Sequence, residues 1–245
     1  MTKISVITVT YNSEATLLRT MRSVINQTYK PFEYLIIDGA SGDGTVALAE
    51  SMRSVFAAKG IDLKIISEPD NGIYDAMNKG IALCSGEVIG IINSDDWYEE
   101  NALSVVARAY EEEGFGLFYA DLRMHMPNGQ TFIKKAKLRK HATSRDWNHP
   151  TTFITKEIYD TYKYRTKTLH DDYDLILRLK KAGVKTVIRN ETLANFTMNG
   201  VSHERNLGLA LKRCRIKYSI YRDNGYSRLY WLECFAEEMG KLIIG

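Results

Sequence analysis

Proline is scarce, with four in 245 residues, and cysteine scarcer, with three; the charges nearly cancel, 33 Lys and Arg against 30 Asp and Glu for a net +3. Each shortage excludes something. So few prolines, with 17 glycines, rule out a collagen-like or Pro-rich chain. Cys84, Cys214 and Cys234 are odd in number and lack any C-x-x-C spacing, which excludes a disulfide framework or a structural zinc site. Buried free thiols in a reducing compartment are expected instead. A net charge of +3 is too small to imply a nucleic-acid partner, and none is expected. Nowhere do about 18 apolar residues run together, and no apolar stretch of signal-peptide type opens the chain. The expected location is therefore the cytoplasm, at most peripheral to the inner face of a membrane. What is present is an ordinary globular composition, 44% hydrophobic and 26% charged, long enough to bury a core without covalent staples.

Four apolar runs rich in β-branched residues, Ile4 to Val9, Tyr34 to Ile37, Leu63 to Ile66 and Val88 to Ile92, read as strands. Between them Ala15 to Ile25, Thr45 to Ala58 and Tyr74 to Leu83 repeat their apolar residues at three and four, as helices do. Alternation of this kind predicts an α/β fold with a mainly parallel sheet flanked by helices, and the unbroken apolar character of the strands predicts burial on both faces. In such sheets the ligand crevice lies at the carboxyl ends of the strands. There the polar residues gather: Thr10-Tyr11-Asn12, Asp38-Gly39, Glu68-Pro69-Asp70 and Asn93-Ser94-Asp95-Asp96. Further on come a helix from Glu100 to Glu112, a hairpin of Leu117 to Met124 with Thr131 to Ile133, a helix from Asp172 to Ala182, and strand-like Lys185 to Ile188 and Leu193 to Met198. The hairpin makes the sheet mixed. The last forty residues read as two amphipathic helices parted by Asp223-Asn224-Gly225.

Adjacent carboxylates at Asp95 and Asp96 repel, and a divalent ion with a taste for hard oxygen, Mg²⁺ or Mn²⁺, resolves the conflict. The same turn also suits a helix N-cap, and both readings stand for the turn alone. The Asp38 to Thr45 loop contains neither G-x-x-x-x-G-K-[ST] nor G-x-G-x-x-G in register, so Walker-type and dinucleotide-type phosphate binding are disfavoured. Asp38 stands where an acceptor for a base N–H or a ribose hydroxyl is needed, and equally where a turn aspartate would.

Taken in order, Val6 to Asn12, Asp38 to Thr45, Glu68 to Gly80 and Asn93 to Asp96, with their flanking strands, resemble the family-2 glycosyltransferases, which have the GT-A fold; the resemblance runs to about Ser202. It implies that Thr10, Tyr11 and Asn12 hold the nucleotide base, with the Tyr11 ring stacked on it, and that Asp38 faces the base. Asn93, standing where the common motif has an acid, would with Ser94 and Asp95 contact the ribose and sugar region, leaving Asp96 for the metal, Mn²⁺ or Mg²⁺. Met77 replaces an arginine of many relatives, so Asp75 and Lys79 are assigned the ribose or diphosphate contacts. The stretch Tyr74 to Gly80 resembles bacterial enzymes of capsule, exopolysaccharide and O-antigen assembly.

His170-Asp171-Asp172-Tyr173-Asp174-Leu175 is similar to the family's acidic motif, which makes Asp172 the general base, Asp171 its neighbour and Asp174 structural. Three acids in a first helical turn also complement the helix dipole. The resemblance further places His149 near phosphate or acceptor, and Ser202 and His203 near the diphosphate.

The resulting expectation is an inverting, metal-dependent transfer of a hexosyl or N-acetylhexosaminyl group from a nucleotide sugar, UDP- rather than GDP-linked, to a saccharide or lipid-linked saccharide acceptor. Residues 1–203 would form the GT-A domain, 1–96 its nucleotide half and 97–203 its acceptor half, with 204–245 the C-terminal helices. Two other readings compete: a sugar nucleotidyltransferase, disfavoured because no Gly-rich loop with Arg and Lys follows the first strand, and a non-catalytic nucleotide-sugar-binding protein. In the tail Lys212, Arg213, Arg215, Lys217, Arg222 and Arg228 face a single acid, Asp223. Its helices would either pack on the domain or meet an anionic membrane surface. Oligomeric state is not legible in the sequence.

Overall fold

The computed structural model describes residues 1–198 and 206–244, the side chains of 241–244 excepted. Ser202, His203 and the preceding Asn199 to Val201 stretch fall outside the described residues. The first half alternates as expected: β1 (Ile4–Thr10), α1 (Glu14–Ile25), β2 (Glu33–Asp38), α2 (Thr45–Ser51), α3 (Arg53–Ala58), β3 (Asp62–Ser67), α4 (Ile73–Leu83) and β4 (Val88–Ile91). Then come β5 (Trp97–Tyr98), α5 (Ala102–Glu113), β6 (Leu117–His125), β7 (Thr131–Lys134), β8 (Phe153–Thr155), α6 (Lys156–Thr161), α7 (Asp171–Lys181), β9 (Thr186–Thr197), α8 (Leu207–Asp223) and α9 (Tyr230–Ile244). Among the described residues the strands form one sheet in the order β3-β2-β1-β4-β8-β6-β9-β5, with β7 paired to β6. The strands β3, β2, β1 and β4 are parallel, β8 joins antiparallel, and β6 and β9 run parallel to each other.

Every residue of β1 and β2 is buried, which explains their lack of polar alternation. On one face Ile4 and Val6 pack with Leu17, Met21 and Val24 of α1. On the other Ile7 and Val9 pack with Tyr74, Met77 and Ile81 of α4. Gly80 lets α4 lie close to the sheet, since a Cβ there would come within 2.8 Å of Ile7 Cγ2. That close seat places the first turn of α4 beside the strand ends.

Two expectations change. The helix read through Thr45 to Ala58 is two helices, joined at Met52, where the backbone bonds tighten and Phe56 turns in to pack 5.3 Å from the Tyr34 ring. The two pieces around residue 190 are one strand, β9, with irregular register opposite Asp121. Buried Asp121 accounts for it by accepting bonds from the Ala136 amide (2.8 Å), Lys135 (2.7 Å) and Asn190 (3.2 Å). The three cysteines are buried and free, as expected.

The tail packs on the domain. Tyr221 donates to the Ala142 carbonyl (3.0 Å) and its hydroxyl lies 2.7 Å from that of Tyr173, while Asn224 donates to Asp174 (2.7 Å). Its charge is also less than the sequence count, because Arg213 and Lys217 pair with Glu238 and Glu237 of α9. Among the described residues no helix is long and apolar enough to cross a membrane.

Candidate active site

The carboxyl ends of β1 and β2 form a shelf braced by short polar side chains. Asp38, 1% exposed, accepts from Thr10 Oγ1 (2.9 Å), the Ser41 amide (2.9 Å), Ser41 Oγ and Ser67 Oγ (2.7 Å). Burial pushes its pKa up, but these donors outweigh burial and hold the carboxyl below its ordinary range. Four bonds fill the acceptor directions of one carboxylate. Asp38, expected to face the base, uses these bonds to hold the loop that forms the shelf.

Asn12 does similar work from a left-handed backbone (φ 48°), donating its amide to Ser41 Oγ (2.8 Å) and accepting from the Gly42 amide (2.9 Å). Tyr11 is left 67% exposed, free to present its ring to a base. Beside it, Gly39 leaves a gap that a Cβ would close, 2.5 Å from Asp70 Oδ2 and 3.5 Å from the Tyr11 ring. The sequence does not distinguish Asp70 from its neighbours at this strand end; only the fold brings it against Gly39.

The acidic turn is held from behind by α1. Thr20 Oγ1 donates to the Ser94 (3.0 Å) and Asp96 (2.6 Å) carbonyls, and Arg19 donates to the Asp95 carbonyl (2.7 Å) while stacking 3.8 Å over Trp97. Ser94 Oγ bonds Ser13 Oγ at 2.8 Å. Nothing in the sequence marks Arg19, one of two arginines on α1, whose partners lie more than seventy residues away. Asp96 is fully buried; its Oδ1 takes the Thr197 amide (3.3 Å) and its Oδ2 has no partner, as is also true of Asn93 Oδ1. Burial first, then the neighbouring Asp95, pushes the Asp96 carboxyl well above the ordinary range, against the weaker pull of the Thr197 amide and Arg19.

The resemblance gives the metal to Asp96; in the structure Asp96 is shut away from solvent and Asp95, half-buried, is the more accessible carboxylate of the pair. Among the described residues neither carboxylate forms an ion pair, although Arg19 is near enough to pull on Asp96, and no three His, Cys, Asp or Glu gather as a closed cage. An accessible acid with orphaned oxygens behind it and no cage fits a hard divalent ion that draws most of its oxygen ligands from a bound diphosphate.

Helix α4 divides its first turns between two loops. On one side Asp75 accepts the Asn71 amide (3.0 Å), and Lys79 donates to the Pro69 carbonyl (2.8 Å) and pairs with Glu68 (3.0 Å) and Asp75 (3.8 Å). Asp75 and Lys79, expected to touch ribose or diphosphate, pin the loop that carries Asp70; the bond to Glu68 raises the pKa of Lys79. On the other side Asn78 donates to the Tyr164 carbonyl (2.9 Å) and accepts its amide (3.1 Å). Tyr74 donates to the Leu169 carbonyl (3.1 Å), and its hydroxyl faces Asp172.

The loop so held leads into α7. Asp171, expected as a neighbour of the base with a possible acceptor or phosphate contact, is 2% exposed and accepts the amides of Lys167 and Thr168 and the Thr168 hydroxyl, so it fastens the loop. Asp174 is structural, as expected, bound by Arg165 (3.2 Å), Arg178 (2.9 Å) and Asn224. Asp172 alone of the three stays half-exposed, its Oδ1 accepting the Tyr173 amide at 2.7 Å. His149, half-buried 5.9 Å from the Trp147 ring, is near enough for Asp172 to draw its pKa up, but burial is the larger effect and lowers it.

The arrangement is an exposed aromatic shelf and accessible acid at the strand ends, tied through α4 to a free carboxylate at a helix start. A model of Glycosyl transferase family 2 matches residues 5–177, which is more than half of the chain. The chain belongs to that family. Among its relatives, an uncharacterized glycosyltransferase of Mycobacterium tuberculosis is 41% identical over 109 residues, 44% of this family member and 38% of that protein. A PGL/p-HBAD biosynthesis glycosyltransferase of Mycobacterium bovis is 33% identical over 176 residues, 68% and 66% of the two chains. The amylovoran biosynthesis glycosyltransferase AmsB of Erwinia amylovora is 26% identical over 234 residues, 89% and 75%. The chain thus spans less than two thirds of the length of the first of these relatives.

Two solved structures share the fold. The mannosyltransferase PcManGT from Pyrobaculum calidifontis, in complex with GDP-Man and Mn²⁺, superposes with TM-score 0.70 at 15% identity, covering 97% of this chain and 69% of its own. TarS 1-349 of S. aureus, in complex with UDP-GlcNAc, gives 0.67 at 17% identity, covering 98% and 72%. The family member's fold is GT-A, as the sequence implied.

Proposed function

We propose that the chain is an inverting, divalent-metal-dependent glycosyltransferase that moves a hexosyl or N-acetylhexosaminyl group from a nucleotide-diphosphate sugar, UDP- rather than GDP-linked, to a hydroxyl of a saccharide or lipid-linked saccharide in cell-surface polysaccharide assembly. One observation carries the reading: α4 touches both the loop beside Tyr11 and the loop before Asp172, so one rigid element sets a donor shelf against a free carboxylate. Relatives named for glycolipid and amylovoran synthesis support the substrate class, and the complexes of TarS and PcManGT support a nucleotide-sugar donor.

Tyr11 stacks on the base within the gap at Gly39, with Thr10, Asn12 and Asp38 keeping the shelf in shape. Asn93 and Ser94 border the ribose and sugar, and Asp95, backed by Asp96, would hold Mn²⁺ or Mg²⁺. A bound ion would neutralise the leaving diphosphate. Asp172 takes the proton of the acceptor hydroxyl; that oxygen bonds to the anomeric carbon from the face opposite the diphosphate, whose C–O bond breaks and returns its electron pair to the nucleotide. His149 lines the acceptor side, and Asp171 positions Asp172 through the loop. Such an enzyme works on the cytoplasmic side, against a membrane that presents lipid-linked acceptors; residues 1–203 form its catalytic domain and 204–245 its helical tail.

A panel of UDP- and GDP-sugars assayed for Mn²⁺-dependent release of nucleoside diphosphate tests the reading. Release from one UDP-sugar is expected. Nucleotide binding without release from any donor would favour a non-catalytic binding protein, and pyrophosphate release from a nucleoside triphosphate with a sugar phosphate would favour a nucleotidyltransferase.

A further inference from the structure

Helix α9 is packed with its amphipathicity inverted. At about 100° per residue, Tyr230, Glu233, Cys234, Glu237 and Glu238 share one face, while Leu232, Phe235 and Ala236 share the opposite one. The acid-bearing face is inside. Glu238 is 0% and Cys234 1% exposed, and Lys217 reaches Glu237 (2.6 Å) and Glu238 (2.8 Å) while Arg213 reaches Glu238 (2.7 Å). His141 pairs with Glu233, and Ser144 donates to Glu237 (3.1 Å). The apolar face is outside: Leu229 is 73% exposed, Leu232 66%, Phe235 42% and Trp231 37%. A helix on a water-facing surface shows the opposite arrangement, and contiguous apolar side chains rimmed by charge mark an interaction surface.

The rim has one sign. The Tyr218 ring lies 5.5 Å from that of Trp231. Arg215 and Arg222, three residues before and four after Tyr218, stand on the same face of α8 and are exposed. Arg228, also exposed, sits in the turn just before Leu229. From Leu207 to Leu229 the exposed cations Lys212, Arg215, Arg222 and Arg228 face one acid, Asp223. A second copy fits poorly, because a two-fold contact through this face would set one basic rim against another.

We propose that this face, Leu229, Trp231, Leu232 and Phe235 with Arg215, Arg222 and Arg228 beside them, docks on an anionic phospholipid surface. The apolar side chains enter the boundary between headgroups and acyl chains, and the guanidinium groups lie on the phosphates. Lys217 and Arg213, for all their positive charge, take no part; they neutralise the inward acids and so keep α9 turned with its apolar side out. The surface requires neither a donor nor catalysis, so it stands or falls apart from the transferase reading.

The test is co-sedimentation of the 245-residue chain with vesicles of phosphatidylcholine alone or mixed with phosphatidylglycerol. Pelleting is expected with the anionic vesicles only, and it should be lost at high salt. Two variants separate the parts. Leu232→Gln with Phe235→Gln alters only exposed positions, so the melting curve should hold while partitioning falls by about tenfold or more. Arg215→Gln with Arg222→Gln and Arg228→Gln should remove the preference for phosphatidylglycerol. Equal pelleting with both vesicle types, binding that survives the Leu232 and Phe235 changes, or concentration-dependent dimerisation abolished by those changes in the absence of lipid binding would each overturn the proposal.

Discussion

Replacing Asn78 by Ala isolates the link between the two halves of the site. Its side chain makes two bonds to the backbone of one residue, Tyr164, donating at 2.9 Å and accepting at 3.1 Å. Tyr164 is 6% exposed and stacks 5.3 Å from Tyr74, so after the substitution an N–H and a C=O lose their partners with little water to replace them. Leaving a buried polar group unsatisfied costs about 1–3 kcal/mol, and partial solvation after loop opening brings the pair to roughly 2–4 kcal/mol. For a chain of this size that corresponds to a fall in melting temperature of about 4–16 °C. The loss should be local: amide exchange from Tyr164 to Asp172 should quicken, and donor turnover should drop because Asp172 is no longer held. Nucleotide affinity, measured by calorimetry, should stay put, since Tyr11, Gly39 and Asp95 are untouched. Unchanged exchange in that loop together with weakened nucleotide binding would refute the reasoning and put Asn78 at the donor site.

Gly39→Ala should fill the gap between Tyr11 and Asp70, its methyl arriving within 2.5 Å of Asp70 Oδ2, and weaken nucleotide binding at least tenfold with little change in melting; unaltered affinity would place the base elsewhere. Asp95→Ala should abolish the Mn²⁺ dependence of UDP binding, read by calorimetry, whereas Asp96→Asn should fold well, because it keeps the shape of the side chain and removes a charge that burial and the neighbouring Asp95 both disfavour. Glu33, 1% exposed, has its pKa raised by burial but carried down to about 2 by bonds from Lys64, Ser5 and the Ser85 amide. A carboxyl held low in the folded state stabilises it above the unfolded value of 4.5, and that contribution drains away as the pH falls from there to about 2. Urea denaturation across that window should show Glu33→Gln less stable at neutral pH by about 2–3 kcal/mol and less sensitive to acid than the parent.

The strands and most helices were legible because each repeats its apolar residues over a full element, and two-sided burial of β1 and β2 leaves no other reading of their runs. Trp97–Tyr98 is too short to show a period, and β9 looked like two strands because its irregular register serves Asp121. In the site, motif order located the turn at residues 93–96, but which of two adjacent acids faces solvent depends on Thr197, a hundred residues away. Tyr74, Asp75, Asn78 and Lys79 read as one motif; that they face two different loops follows from helical geometry only once the neighbours are in place. In the tail, amphipathicity was visible while its direction was not, since a stripe in a sequence does not say which side is in.

The central claim is that Asp172 drives an attack from the face opposite the leaving nucleotide. Proton NMR of donor turnover with Mn²⁺, caught before mutarotation, reads the anomeric configuration of the first product. From an α-linked UDP-sugar the account predicts the β product, formed at a rate that falls about 10²- to 10⁴-fold in Asp172→Asn while UDP affinity is kept. A product with the α configuration, or undiminished turnover in Asp172→Asn, would contradict it.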